Sequence, residues 1–181
     1  MMDTRSDALT DSGTRIQPRI QPGVRPRIQP RARPARLGQI VAEIASHPAS
    51  WSDIVRFDSG RRWYRRLELT DDYEVWLLSW LPGQETGFHD HGEAVGAFAV
   101  AYGELRERTV PARRPRVRNR ALLAGQVRPF GAGHVHDVVN VTAGPAVSVH
   151  AYSPPLTAMR RYHLTAGGLV YAATEHAELG W

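Results

Sequence analysis

The sequence predicts a mainly β protein, a jelly-roll-like β-barrel with a short N-terminal helical segment and a disordered N-terminal tail, on three observations. Short apolar runs, Tyr73 to Trp80, Glu93 to Tyr102 and Val147 to Tyr152, are separated by turns rich in Gly and Pro, the pattern of a closed or sandwich-like barrel. Two glycine-punctuated blocks that carry histidines lie 21 residues apart. Only Leu37 to His47 shows a clear helical period, with Leu37, Ile40, Val41 and Ile44 on one face and Pro48 as the stop.

In chain order, the tail comes first. Residues 1–36 hold eight arginines against Asp3, Asp7 and Asp11, so the net charge of +5 resides there, while the rest of the chain balances 15 arginines with 15 carboxylates. From Arg15 to Pro34 the chain is five tetrapeptides, each ending in proline. Proline every fourth residue removes backbone donors and favours extended conformations, and so little apolar surface cannot form a core. The expected division is therefore a tail, 1–36, and one domain, 37–181. Because the basic excess sits in the tail, no nucleic-acid partner is expected of the domain. The helix is expected to cover an end of the barrel. Arg61 to Arg66 alternates as an entering strand, and Arg106 to Arg120 mixes charged with β-branched residues, as an outer strand and loop would. Near the end, Arg161 to Thr165 and Leu169 to Ala173 flank Gly167-Gly168 as a hairpin.

Composition excludes whole classes of chemistry. With no cysteine there is no disulfide, thiolate metal site or cysteine nucleophile, and with no lysine there is no Schiff base. No run of about 18 apolar residues suggests a transmembrane helix, and no apolar stretch with a cleavage site follows the first residues. A cytoplasmic monomer without a membrane partner is the expectation.

The histidine blocks carry the functional signal. In the first, Gly83, five residues, His89-Asp90-His91, and then Gly96 and Gly103 follow one another; in the second, Gly125, Gly131-Ala132-Gly133, His136 and Asn140. On an extended backbone residues i and i+2 face the same side, so His89 and His91 can grip one metal ion. The spacing resembles the two motifs of the cupin barrels, with Gly131 where the second motif usually has proline. By that register His136 is the third ligand and His134 is not. The glutamate ligand usual in the first motif would fall at Val95 or Gly96, neither of which can ligate, and Glu93 is at the wrong distance. Three neutral imidazoles remain, leaving open positions and an uncancelled positive charge at the metal.

A three-histidine cupin with these surroundings resembles the type I cysteine dioxygenase family, the bacterial thiol dioxygenases, from about Tyr64 to Pro155. The matching segments are Tyr64-Arg65-Arg66, Trp80, His89-Asp90-His91, His136-Asp137-Val138-Val139-Asn140 and Ser148-Val149-His150-Ala151-Tyr152-Ser153-Pro154-Pro155. The resemblance implies Fe(II) at His89, His91 and His136, a small thiol amino acid and dioxygen as partners, and a sulfinic acid product. It implies that Arg66, with Tyr64, captures the substrate carboxylate, and that Ser148, His150 and Tyr152, alternating along one strand, form a relay ending in a phenol beside the metal. Animal members carry a cysteine at the position of Gly96 that crosslinks to the tyrosine; here no Cys-Tyr crosslink can form, so Tyr152 works as a plain phenol. L-cysteine is the expected substrate. Arg66 sets the chain apart from members acting on 3-mercaptopropionate, which usually have glutamine there. The alternatives are another small thiol carboxylate such as 3-mercaptopropionate, a non-catalytic regulatory cupin, and a zinc or manganese isomerase or hydrolase. His47, His163 and His176 belong to no motif and are expected at the surface or at helix ends.

Overall fold

The computed structural model describes residues 32–111 and 116–176. The first 31 residues of the expected tail lie outside the described residues. The remainder of that tail belongs to the folded unit. Ala32 is buried and its N–H donates to Ser153 Oγ (2.9 Å), and helix α1 runs Pro34–Ser46 rather than starting at Leu37. Pro34 at the first turn costs no helical hydrogen bond, since that N–H would be unsatisfied anyway.

The described strands are β1 (Tyr64–Leu69), β2 (Glu74–Trp80), β3 (His89–Asp90), β4 (Val95–Tyr102), β5 (Glu104–Thr109), β6 (Arg118–Leu123), β7 (Val127–Phe130), β8 (His136–Val139), β9 (Ala146–Ser153), β10 (Ala158–Thr165) and β11 (Gly168–His176). They form two antiparallel sheets, β1-β2-β9-β4-β7 and β11-β10-β3-β8-β5-β6, which face each other as a jelly-roll-like sandwich rather than a closed barrel.

The five-stranded sheet is buried on both faces, which explains why β2 reads as a largely apolar run. Val75, Leu77, Ala97, Ala99, Val147, Val149 and Ala151 pack with Leu37, Val41 and Ala45 of α1. The helix therefore lies flat against the outer face of this sheet instead of covering an end. The opposite parity, Leu78, Trp80, Phe98, Val100, Ala146 and Tyr152, meets Leu105, Leu122 and Val138 of the six-stranded sheet. This inner face also carries Ser148 and His150, so one strand, β9, is apolar towards the helix and partly polar towards the interior.

Candidate active site

The two sheets enclose a cavity lined by Arg62, Tyr64, Trp76, Leu78, Thr86, His89, His136, Val138, His150, Tyr152, Leu156, Met159 and Arg161, with about 540 Å³ of empty space out to its open mouth. At its inner end β3 pairs with β8 so that His89 stands directly across from His136. His91 follows β3, and its ring centroid lies 4.8 Å from that of His89 and 5.3 Å from that of His136. One ring nitrogen from each of the three falls within 4.8 Å of the others. The sequence's proposed ligand set is thus one buried cluster.

Each imidazole is held differently. His89 Nδ1 donates to the Gly87 carbonyl (2.9 Å), and His136 Nδ1 donates to Glu107 Oε1 (3.1 Å), which leaves both Nε2 atoms as acceptors. His91 stacks on the Phe130 ring (5.3 Å) and packs at a tilt against the Tyr152 ring (4.6 Å), and its buried Nε2 has no hydrogen-bond partner among the described residues. Burial lowers the pKa of all three below the ordinary histidine value, well below for His89 and His91. Neutral imidazoles with free lone pairs and one orphaned buried nitrogen fit a divalent metal ion.

His134 adjoins the cluster rather than completing it: its ring lies 5.0 Å from that of His136, and with Glu107 and His136 it forms a second group whose ligand atoms fall within 4.8 Å of one another. The Phe130 ring stacks on His134 (5.3 Å) as it does on His91, and His134 Nε2 donates to Glu107 Oε1 (2.9 Å). Phe130 also accounts for Gly96. Gly96 lies across from Tyr152, and a Cβ there would meet Phe130 ring carbons at 2.4 and 2.6 Å. In this chain an aromatic ring fills the space beside the tyrosine.

Ser148, His150 and Tyr152 form the row that alternation predicts. Trp80 Nε1 donates to Ser148 Oγ (2.8 Å), Ser148 Oγ lies 2.8 Å from His150 Nε2, and His150 Nδ1 lies 3.3 Å from the Tyr152 hydroxyl. If every proton is used, Ser148 donates to Nε2, Nδ1–H donates to the phenol oxygen, and the Tyr152 O–H is left for the cavity. Burial lowers the His150 pKa well below its ordinary value, so the row stays neutral, while burial and the charge of Glu74 raise that of Tyr152.

The arginine expectation is corrected. Arg66 does not line the cavity: it is half exposed, its guanidinium sits over the Trp76 ring (5.4 Å), and Nη1 is 3.8 Å from Glu74. The cavity arginine on this segment is Arg62, two rungs earlier on the same side. Tyr64 pairs with Leu78 and Arg66 with Trp76, so the rung of Arg62 falls beside Trp80, deep in the sandwich. Arg62 lies over the Trp80 ring (5.0 Å), Nη1 donates to the Glu85 carbonyl (3.0 Å), and Nε is buried without a partner. Among the described residues no carboxylate pairs with it, and burial lowers its pKa. Tyr64 lines the cavity as expected, its ring edge-on to Trp76 (5.8 Å). A second cavity arginine that the sequence did not suggest, Arg161 on β10, is neutralised by Glu175 Oε2 (2.6 and 2.8 Å) and donates to the Thr86 carbonyl (3.0 Å).

Comparison with known proteins places this chain in a family. The fold is that of the cupins: an uncharacterised protein with a double-stranded β-helix domain from Klebsiella pneumoniae aligns over 67% of this chain and 93% of its own, at 23% identity and a TM-score of 0.50. An RmlC-like cupin protein from Desulfovibrio desulfuricans aligns over 57% of this chain and 92% of its own, at 21% identity and a TM-score of 0.50. The family model described as cysteine dioxygenase type I matches residues 32–165, and the chain belongs to that family. Its relative cysteine dioxygenase type 1 of Danio rerio is 28% identical over 67% of this chain; the match spans 66% of that protein's length, a little under two thirds. The matched segment begins at Ala32, where the described structure also begins. Among the described residues no helix is long and apolar enough to cross a membrane.

Proposed function

We propose that this chain is an iron-dependent thiol dioxygenase that converts the thiol of L-cysteine, with dioxygen, to cysteine sulfinic acid, RSH and O2 combining as RSO2H. The observation that carries the proposal is the pairing, in one cavity, of a three-histidine cluster with an arginine that lacks a carboxylate partner. A thiol carboxylate is an anion at one end and becomes an anion at the sulfur when its thiol proton is lost, which matches a cationic site at each end.

Fe(II) held by His89, His91 and His136 would supply the oxidation of sulfur by dioxygen. The protein's own residues do the rest. Arg62 anchors the carboxylate, its planar fork already fixed by Trp80 and the Glu85 carbonyl. Tyr64, Trp76 and Leu156 shape the cavity and exclude water from the carbon chain. Tyr152, with its oxygen tied to His150, offers its O–H to the sulfur or oxygen end of the substrate.

One observation favours a second substrate, a small thiol carboxylate without an ammonium group such as 3-mercaptopropionate: among the described residues that line the cavity there is no carboxylate side chain to meet an ammonium. Oxygen uptake by the iron-loaded protein with L-cysteine, 3-mercaptopropionate and cysteamine, together with mass analysis of the products, tests both readings. A gain of two oxygen atoms on L-cysteine and little turnover of cysteamine are expected. Faster turnover of 3-mercaptopropionate would transfer the assignment to the second reading. Oxygen uptake with none of the three would overturn the thiol dioxygenase assignment.

A further inference from the structure

Glu107 sits on β5 in a segment, Glu-Leu-Arg-Glu-Arg, whose alternating charge suggests a solvated strand. It is nonetheless buried, because β5 lies inside the six-stranded sheet between β8 and β6 and turns Leu105 and Glu107 inward. Three donors hold its carboxylate. Oε1 accepts from His136 Nδ1 (3.1 Å) and His134 Nε2 (2.9 Å), and Oε2 accepts from Arg128 Nε (2.6 Å). Arg128 is itself fixed by donation to the Pro129 carbonyl (2.9 Å).

We propose that Glu107 is the positioning residue of the metal centre, setting the tautomer and tilt of His136 and supplying, one ring away, the negative charge that the three-histidine set lacks. A carboxylate held by Arg128 and His134 cannot rotate away, so the Nδ1–H of His136 has one fixed acceptor and its Nε2 lone pair is aimed at His89 and His91. His89, by contrast, donates to a backbone carbonyl, a weaker acceptor. An anionic acceptor polarises its imidazole more than a neutral carbonyl does, which makes His136 a more electron-rich donor than His89. The glutamate that Val95 and Gly96 cannot provide as a ligand is thus replaced by one acting through a ligand.

The inference rests on the metal reading of the cluster but not on thiol oxidation, and the test reads the metal alone. The full chain, stripped of metal, is titrated with Co(II) against a chromophoric chelator, while the visible cobalt bands report ligand geometry and thermal melts of the apo protein report folding. Glu107→Gln, which keeps the shape and loses the charge, is expected to weaken Co(II) binding about tenfold and to shift the cobalt bands; Glu107→Ala is expected to weaken it by up to about a hundredfold. Arg128→Met is the control, since it breaks the same buried ion pair and lowers the melting temperature but leaves an acceptor on His136; affinity is expected to stay within about threefold. Unchanged affinity in Glu107→Gln would overturn the proposal, as would equal losses in Glu107→Gln and Arg128→Met. An unmodified protein that takes up no Co(II) would sink the metal reading and this inference with it, whereas one that takes up the metal and oxidises no thiol would sink only the proposed reaction.

Discussion

The two ends of the cavity are built on opposite principles. At the histidine end every ring is braced, by the Gly87 carbonyl, by the Glu107 carboxylate or by packing against Phe130 and Tyr152, and all three are buried and neutral. At the arginine end one charged side chain lies across the Trp80 ring with a single carbonyl contact and a buried, unpartnered Nε. The first end therefore presents fixed lone pairs suited to a cation, and the second presents N–H donors suited to an anion.

Breaking the histidine end should have the largest effect. A site of three ligands loses its facial geometry when one is removed, so His89→Ala, His91→Ala and His136→Ala are each expected to abolish stoichiometric metal binding and all turnover. His134→Ala should keep the metal, because His134 directs its Nε2 to Glu107 and is not one of the three clustered rings. Elemental analysis of the purified variants checks both, and loss of metal from His134→Ala would show that the braced shell extends further than the three rings.

The arginine end is expected to respond by degree. Loss of a charge-assisted pair costs about 2 kcal/mol, so Arg62→Met should raise the KM for a thiol carboxylate by roughly thirtyfold while leaving metal content intact. Arg66→Gln should change it little, because Arg66 lies over the outer part of Trp76 and pairs with Glu74. Steady-state kinetics on the two variants decides which rung of the strand meets the substrate; a strong effect at Arg66 and none at Arg62 would reverse the placement.

That contrast also explains what could be seen in the sequence. The three-histidine cluster was legible because i, i+2 alternation and glycine-marked turns fix a local geometry, and the Ser148, His150, Tyr152 row was legible for the same reason. The arginine was not. Alternation puts Arg62, Tyr64 and Arg66 on one side, but which of them reaches the interior depends on the pairing of β1 with β2, and Tyr64 against Leu78 is a long-range fact. Glu107 was hidden in the same way, since a charged residue in an alternating segment looks solvated until its neighbours are known to enclose it. The helix was legible as an element but not in its placement, because the five-stranded sheet reveals its need for cover only through the parity of Val75, Leu77, Val147 and Val149.

The bracing through Phe130 can be loosened without touching a ligand. Gly96→Ala would drive a methyl group into the ring, on which both His91 and His134 stack. Overpacking of this kind costs about 1–3 kcal/mol, so a lower melting temperature is expected, with a smaller loss of metal affinity. Titration and thermal melts of this variant would separate packing from ligation; full stability would mean that Phe130 moves freely and braces nothing.

The smallest expected effect is the pH dependence of the metal-free protein. His89, His91, His136 and His150 are buried with pKa values below that of an unfolded histidine, burial being the largest cause in each case. Between the folded value and about 6.5 the unfolded chain therefore holds more protons than the native one, so stability is lost as pH falls below about 6.5. Each ring that stays neutral contributes a slope of at most about 1.4 kcal/mol per pH unit. Glu107 shifts in the same direction for a different reason: burial would raise its pKa, but donation from His134, His136 and Arg128 lowers it below the ordinary carboxylate range, so its contribution is present at neutral pH and disappears only at strongly acid pH. Apo melting temperatures should accordingly decline from pH 7 to pH 5, and the decline should be shallower in His150→Gln, which removes one buried titrating ring outside the metal cluster. A metal-free protein whose melting temperature is flat over that range would mean that the imidazoles protonate freely in the native state, and the contrast between a dry histidine end and an adaptable arginine end would be lost.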